Sequence, residues 1–104
     1  MNDVNIIRET LVEELDRNTR SRRAYELECA KLPRGSVTVR MRGDRTYCYL
    51  KYREGDRVVT EYVGVAESVE KGLRKQVARR KELESVIKRL EREETFIQKA
   101  LRHS

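Results

Sequence analysis

The chain has 104 residues, of which 38% are apolar and 40% charged, and its formal net charge is +6. That length gives one domain and excludes a second core, and a single proline with no low-complexity tract argues against wholesale disorder. No stretch approaches about eighteen apolar residues, and the N-terminal MNDVNIIRETLVEEL lacks a basic-then-apolar export pattern, so a soluble, cytoplasmic protein is expected.

The positive charge is uneven. Residues 1–16 carry one basic and five acidic side chains, residues 17–57 twelve basic and five acidic, and residues 58–104 eleven basic and eight acidic. A field concentrated in the middle of the chain points to a polyanionic partner.

Residues 3–31 read as a helix. Val4, Ile7, Leu11, Leu15, Tyr25 and Cys29 recur at helical spacing and make one apolar stripe. Asn18 and Arg22 interrupt it, inside the basic run from Arg17 to Arg23. Pro33 forbids continuation, and Leu32-Pro33-Arg34-Gly35-Ser36 reads as a helix stop followed by a turn.

Residues 36–64 alternate with period two, punctuated by Gly43-Asp44 and Gly55-Asp56. Glycine at the first central position suits a two-residue type II′ hairpin, where that residue needs positive φ. The spacing therefore predicts a three-stranded antiparallel meander with Arg42 opposite Arg45 and Glu54 opposite Arg57. Following the pleat, Val37, Val39, Met41, Cys48, Leu50, Tyr52, Val59 and Val63 project to one side, with Glu61 as its only charge, and that side packs on the two helices. The opposite side collects Thr38, Arg40, Arg42, Arg45, Tyr47, Tyr49, Lys51, Arg53, Thr60 and Tyr62, with Tyr49 facing Tyr62. It carries five cations, three tyrosines and no acid.

Residues 67–102 read as a second helix, about 54 Å long if unbroken. Val69, Leu73, Leu83, Ile87, Leu90, Ile97 and Leu101 fall on a seven-residue repeat. Its other positions are Gln76, Arg80 and Glu94, with Val77 beside the first, and Gly72 weakens the helix, so the segment reads as a packed helix rather than a strong autonomous zipper. The fold expected is α+β: two long helices packed as an antiparallel pair with the meander between them in sequence and the sheet at one end. A second basic patch, Lys71, Arg74, Lys75, Arg79, Arg80 and Lys81, would then lie beside Arg17 to Arg23, and the acidic start of the first helix near Lys88 to Arg102.

Cys29 and Cys48 lack metal-ligand spacing and read as buried free thiols of a reducing cytosol, while the only histidine is His103 beside the C-terminus. There is no metal cluster, Gly-rich phosphate loop or serine elbow, so neither catalysis nor a cofactor is expected.

The segments Leu32-Pro33-x-Gly35-Ser36, Gly43-x-Arg45-Thr46-Tyr47-x-Tyr49-Leu50, Tyr52-Arg53-Glu54-Gly55 with Val58, and Tyr62-Val63-Gly64 resemble a family of small uncharacterised helix–meander–helix proteins of bacteria, archaea and their mobile elements. The hairpins are also similar to N-terminal regions of some insertion-sequence transposases and, more loosely, to the arm-binding sheets of tyrosine recombinases. Cys48 stands where a Tyr-Tyr-Tyr run is frequent and Asp56 where glycine is frequent. The resemblance supplies no established activity; by analogy it implies phage or mobile-element biology and nucleic acid.

The function expected is a non-catalytic nucleic-acid-binding accessory protein, for duplex DNA first. Arg40, Arg42, Arg45, Lys51 and Arg53 would contact phosphates or base edges, Tyr47, Tyr49 and Tyr62 would support them, and Arg74, Lys75 and Arg79 would hold the flanking backbone. Three alternatives stay open. Tyrosine and arginine on a strand face also satisfy β-propensity and solubility with no partner. The face would equally suit a protein-binding inhibitor or adaptor, such as a phage-encoded inhibitor of a CRISPR nuclease or another host defence machine. The long helix would alternatively pair with its copy in a homodimer.

Overall fold

The computed structural model describes residues 3–103, with side chains from Ile6 onward, so Val4 of the expected stripe lies outside the described side chains. Helix α1 (Asp3–Ala30) is followed by strands β1 (Ser36–Arg42), β2 (Arg45–Glu54) and β3 (Arg57–Val65) and by helix α2 (Ala66–Arg102). This is the expected α+β helix–meander–helix order, each boundary within one residue of the reading above. α1 stops ahead of Pro33, which has no N–H to donate and disfavours helical backbone at Leu32. At its start α2 places Glu67, and in its last turn Lys99 and Arg102, each matched to the helix dipole. Residues 1–29 with 83–104 form one compact unit and residues 30–82 a second.

In the sheet unit, β2 is central and pairs antiparallel with both neighbours. Gly43 and Gly55 have φ of +60° and +62°, while no non-glycine residue has positive φ. That combination is the type II′ pattern, and it places Arg42 opposite Arg45 and Glu54 opposite Arg57 as expected. Gly35 has φ +103°, and a Cβ there would run into the Lys51 carbonyl and lie 2.9 Å from Tyr52 Cβ. The loop out of α1 thus reaches β1 only because Gly35 has no side chain.

Cys48 and Leu50 of β2 are buried with Ala66, Leu73 and Val77 of α2, and Val37, Val39, Tyr52 and Val69 pack against them. Fully burying a leucine or valine side chain contributes roughly 1.5–3 kcal/mol, so these few contacts carry the sheet. The helical side of this core is the first part of α2, where packing on both helices was expected. Two strand residues also depart from expectation. β3 bulges beside the Cys48/Tyr49 step, so that Cys48 faces Gly64 while Tyr49 faces Tyr62. Val63 is left without a partner and is 36% exposed. Val69 Cγ1 of α2 stands 3.1 Å from where a Gly64 Cβ would be, so the glycine opposite Cys48 lets α2 pack close against β3. Met41 is 76% exposed, since it pairs with Thr46 beside the first turn, beyond the core that ends at Val39.

In the helix unit, α1 runs antiparallel to the second half of α2. Asn18 Nδ2 donates to the Leu90 carbonyl at 2.9 Å, and Arg8 donates to the Leu101 carbonyl at 3.1 Å. Arg22 pairs with Glu94 at 2.9 Å, each side chain 21% exposed, and this hydrogen bond raises the guanidinium pKa further. One interruption of each apolar stripe, Arg22 and Glu94, thus meets the other. Leu11, Leu15 and Tyr25 are half-buried and Cys29 and Leu83 buried, whereas Ile7 is 58% exposed, against expectation. Along α2 the buried face passes through Val77 instead of Gln76, which is exposed.

Gly35→Ala combines a strained φ with a backbone collision, and the chain should lose at least about 2 kcal/mol of stability. Gly43→Ala meets nothing within 4 Å and should cost only the conformational penalty, about 1 kcal/mol. Urea denaturation of the two variants checks the order, and a Gly43 variant weaker than the Gly35 variant would contradict it.

Candidate nucleic-acid interface

The pleat and the two turns leave β1, β2 and β3 with a second face away from Cys48 and Leu50. Thr38, Tyr49 and Tyr62 form one row across it, and Arg40, Tyr47 and Val65 the next. Ser36, Lys51 and Thr60 form the row on the other side of Tyr49, with Arg53 opposite Val58 beyond it. Arg42 and Arg45 face each other at the first turn. Every residue expected on this face is therefore on it. Same-face neighbours along a strand stand about 7 Å apart, so the side chains form a regular array.

Its centre is a cluster of rings. The Tyr49 and Tyr62 centroids lie 5.6 Å apart at 61°, edge to face, and those of Tyr47 and Tyr62 6.1 Å apart at 55°. The Arg40 guanidinium lies 5.3 Å from the Tyr49 ring centroid. Tyr47 and Tyr49 are half-buried by these contacts, while Tyr62 stays 56% exposed. Rings held this way lose little freedom when a flat or phosphorylated ligand lands on them.

Around the rings, Arg40, Arg42, Arg45, Lys51 and Arg53 are all exposed, and none forms an ion pair with a described residue. Like charges set opposite each other, as at Arg42 and Arg45, are mildly destabilising. An incoming anion would relieve that repulsion. Acids border both turn ends: Arg45 lines a hollow with Asp44, Glu67 and Glu70, and exposed Glu54 and Asp56 follow Arg53 at the second turn.

The expected helical patch is weaker than its sequence. Arg74 pairs with Glu70 at 2.8 Å and Arg79 with Glu82 at 3.5 Å, from acids just outside the run, while Lys75 is exposed. Arg80 is half-buried and donates to the Leu32 carbonyl at 2.7 Å, so it ties the α1–β1 loop to α2 and does not belong to an open patch. Three arginines of the α1 run are matched as well: Arg17 pairs with Glu14, Arg20 with Asp16, and Arg22 with Glu26 and Glu94, while Arg23 is exposed.

Two apolar members of the outer face, Val58 and Val65, were not anticipated there. Val65 arrives through the bulge, for which a glycine inside the strand pattern, Gly64, was the available signal. Val58 follows directly from the second turn and is 54% exposed. Among the described residues no group of three or more His, Cys, Asp or Glu side chains is arranged to hold a metal ion, and no helix is long and apolar enough to cross a membrane.

The family model described as Domain of unknown function (DUF6788) matches residues 2–75. The chain belongs to that family. The match takes in α1, the whole meander and the first turns of α2, so this DUF6788 domain includes every outer-face cation together with Arg74 and Lys75, while Arg79 lies beyond it. No curated protein and no solved structure matches the chain.

Directly beneath the outer face sits Cys48, a free thiol with no exposed surface. Burial pushes its pKa up, with Glu70 adding to the rise and Arg74 opposing it. The folded chain therefore holds this proton more tightly than the unfolded chain. The resulting stability is complete below the unfolded thiol range, near about 8.5, and is lost as pH rises towards the raised folded value. In a Cys29→Ser background, the native thiol should resist a disulfide reagent that labels the unfolded chain rapidly. The urea midpoint should also fall more steeply above pH about 8.5 than in Cys29→Ser/Cys48→Ala. Rapid native labelling would show that the sheet does not cover Cys48.

Proposed function

We propose that this chain is a non-catalytic nucleic-acid-binding accessory protein of the cytoplasm, and that its ligand is duplex DNA. One observation carries the reading: five exposed cations surround three clustered tyrosines on a single sheet face that has no acid and no internal ion pair. Arg40, Arg42, Arg45, Lys51 and Arg53 take phosphate oxygens or base edges, with the arginines able to make bidentate contacts. Tyr62 and its neighbours supply hydroxyl donors and flat surface at low entropic cost. Strands of a sheet can enter a major groove with their side chains toward the bases. On α2, Lys75 adds a further cation, while Arg74 and Arg79 would exchange Glu70 and Glu82 for phosphate. The resemblance of the hairpins to those of insertion-sequence transposases supports a phage or mobile-element setting.

A second reading, a protein-binding inhibitor or adaptor that occupies a nucleic-acid groove of a nuclease, is favoured by Val58 and Tyr62. Both are more than half exposed on the same face, and apolar and aromatic surface of that kind is enriched at protein interfaces. A pull-down from nuclease-treated lysate separates the two, because a protein partner survives the nuclease and a nucleic-acid bridge does not.

Mobility shifts with duplex DNA, single strands and RNA at several salt concentrations test the first reading. With roughly five phosphates neutralised, log affinity for duplex should fall against log salt with a slope of about −4 to −5. Arg40→Glu/Arg42→Glu/Arg53→Glu should abolish binding and leave thermal unfolding unchanged. Retained affinity in that variant would remove the outer face as the site.

A further inference from the structure

The helix unit carries an apolar groove between α1 and the end of α2, made by Leu11, Phe96 and Ile97 and bordered by Arg89, Arg92 and Glu93. Phe96 is 72% exposed on its rim, and Ile7, one turn before Leu11, is 58% exposed. Arg89, Arg92 and Glu93 are exposed, and none forms an ion pair with a described residue. That sets them apart from the neighbouring Arg22 and Glu94, which satisfy each other. The groove continues past Asn18, which is 6% exposed and whose Oδ1 has no hydrogen-bond partner. A buried acceptor left in that state costs stability.

The spacing of the rim residues identifies what covers the groove. Arg89, Arg92, Glu93 and Phe96 share one face of α2, and their order is symmetric: the midpoint between Arg92 and Glu93 is also the midpoint between Arg89 and Phe96. When two copies of this helix cross antiparallel at that point, Arg92 meets the second copy's Glu93. Arg89 meets the second copy's Phe96, a cation over a ring. Each contact is made twice, as a two-fold interface requires. Further out, Ser85 meets Ala100, and both are small enough for close approach. A polyanion would meet Glu93 and Glu14 here, and a purely apolar helix would leave both arginines and the glutamate unmatched. A second copy matches all of them.

We propose that two copies of this chain associate through this groove, with the two-fold axis at the midpoint between Arg92 and Glu93 and each Phe96 inserted beside the other copy's Arg89. The association uses neither the sheet face nor nucleic acid, so it stands or falls apart from the DNA-binding reading.

Sedimentation equilibrium and light scattering on nuclease-treated protein, over a wide concentration range, test it. The wild-type chain should reach twice the monomer mass. Phe96→Glu should be monomeric, and Arg92→Glu or Glu93→Arg alone should weaken association by about tenfold or more. Arg92→Glu/Glu93→Arg together should restore it, because the exchanged pair meets itself across the axis. Circular dichroism confirms that each variant keeps its helices, as exposed positions should. A monomeric wild type, a dimer indifferent to these changes, or a double exchange no better than the single ones would each overturn the proposal.

Discussion

Positive φ at two glycines governs this sheet. Gly43 and Gly55 can turn the chain in two residues because neither has a Cβ, and the aspartates after them keep negative φ. Since successive strand side chains alternate between faces, a slip of one residue at either turn would send every following side chain to the other side. With both turns set, β2 is pinned from its two ends. Cys48 and Leu50 go to α2, and the arginines and most tyrosines go outward together. The core and the candidate interface are thus two consequences of one backbone constraint.

The remaining geometry answers to contacts between elements. Gly35 lets the chain pass close to the Lys51 carbonyl, and Gly64 lets Val69 reach the sheet. Beside the second of these, β3 is out of register by one residue past Tyr62 while the Tyr49–Tyr62 pair is kept. That is why the aromatic cluster survives the bulge while Val63 loses its inward place. Cys48, buried and protonated, is the inner neighbour of that same cluster and contributes packing rather than reactivity.

How much of this was legible depended on how local each cause was. The turns, the strand pairing and the membership of the basic face follow from Gly-Asp spacing and period-two alternation, both carried by adjacent residues. The bulge was not, because the meaning of Gly64 lies in Val69 of the following helix. Arg22 and Glu94 each read as a defect in its own stripe, and only the antiparallel register of α1 and α2 turns two defects into one ion pair. The basic runs overstated the available charge for the same reason. Glu14, Asp16, Glu70 and Glu82 sit at helical spacing from arginines in those runs and neutralise them. The sheet face escapes that cancellation because strand alternation keeps Glu54 and Glu61 off it.

What distinguishes the outer face is therefore charge without a counter-charge, held on rigid strands and braced by rings. The most direct test is nuclear magnetic resonance of the labelled chain titrated with a short duplex, observing arginine guanidinium and tyrosine ring signals together with methyls of the opposite face. The account predicts progressive shifts at Arg40, Tyr49, Tyr62 and Arg53, with Val39 and Leu50 methyls nearly still. Duplex-induced shifts confined to the Val39 and Leu50 side or to the helix pair, or no shifts at low salt, would contradict it.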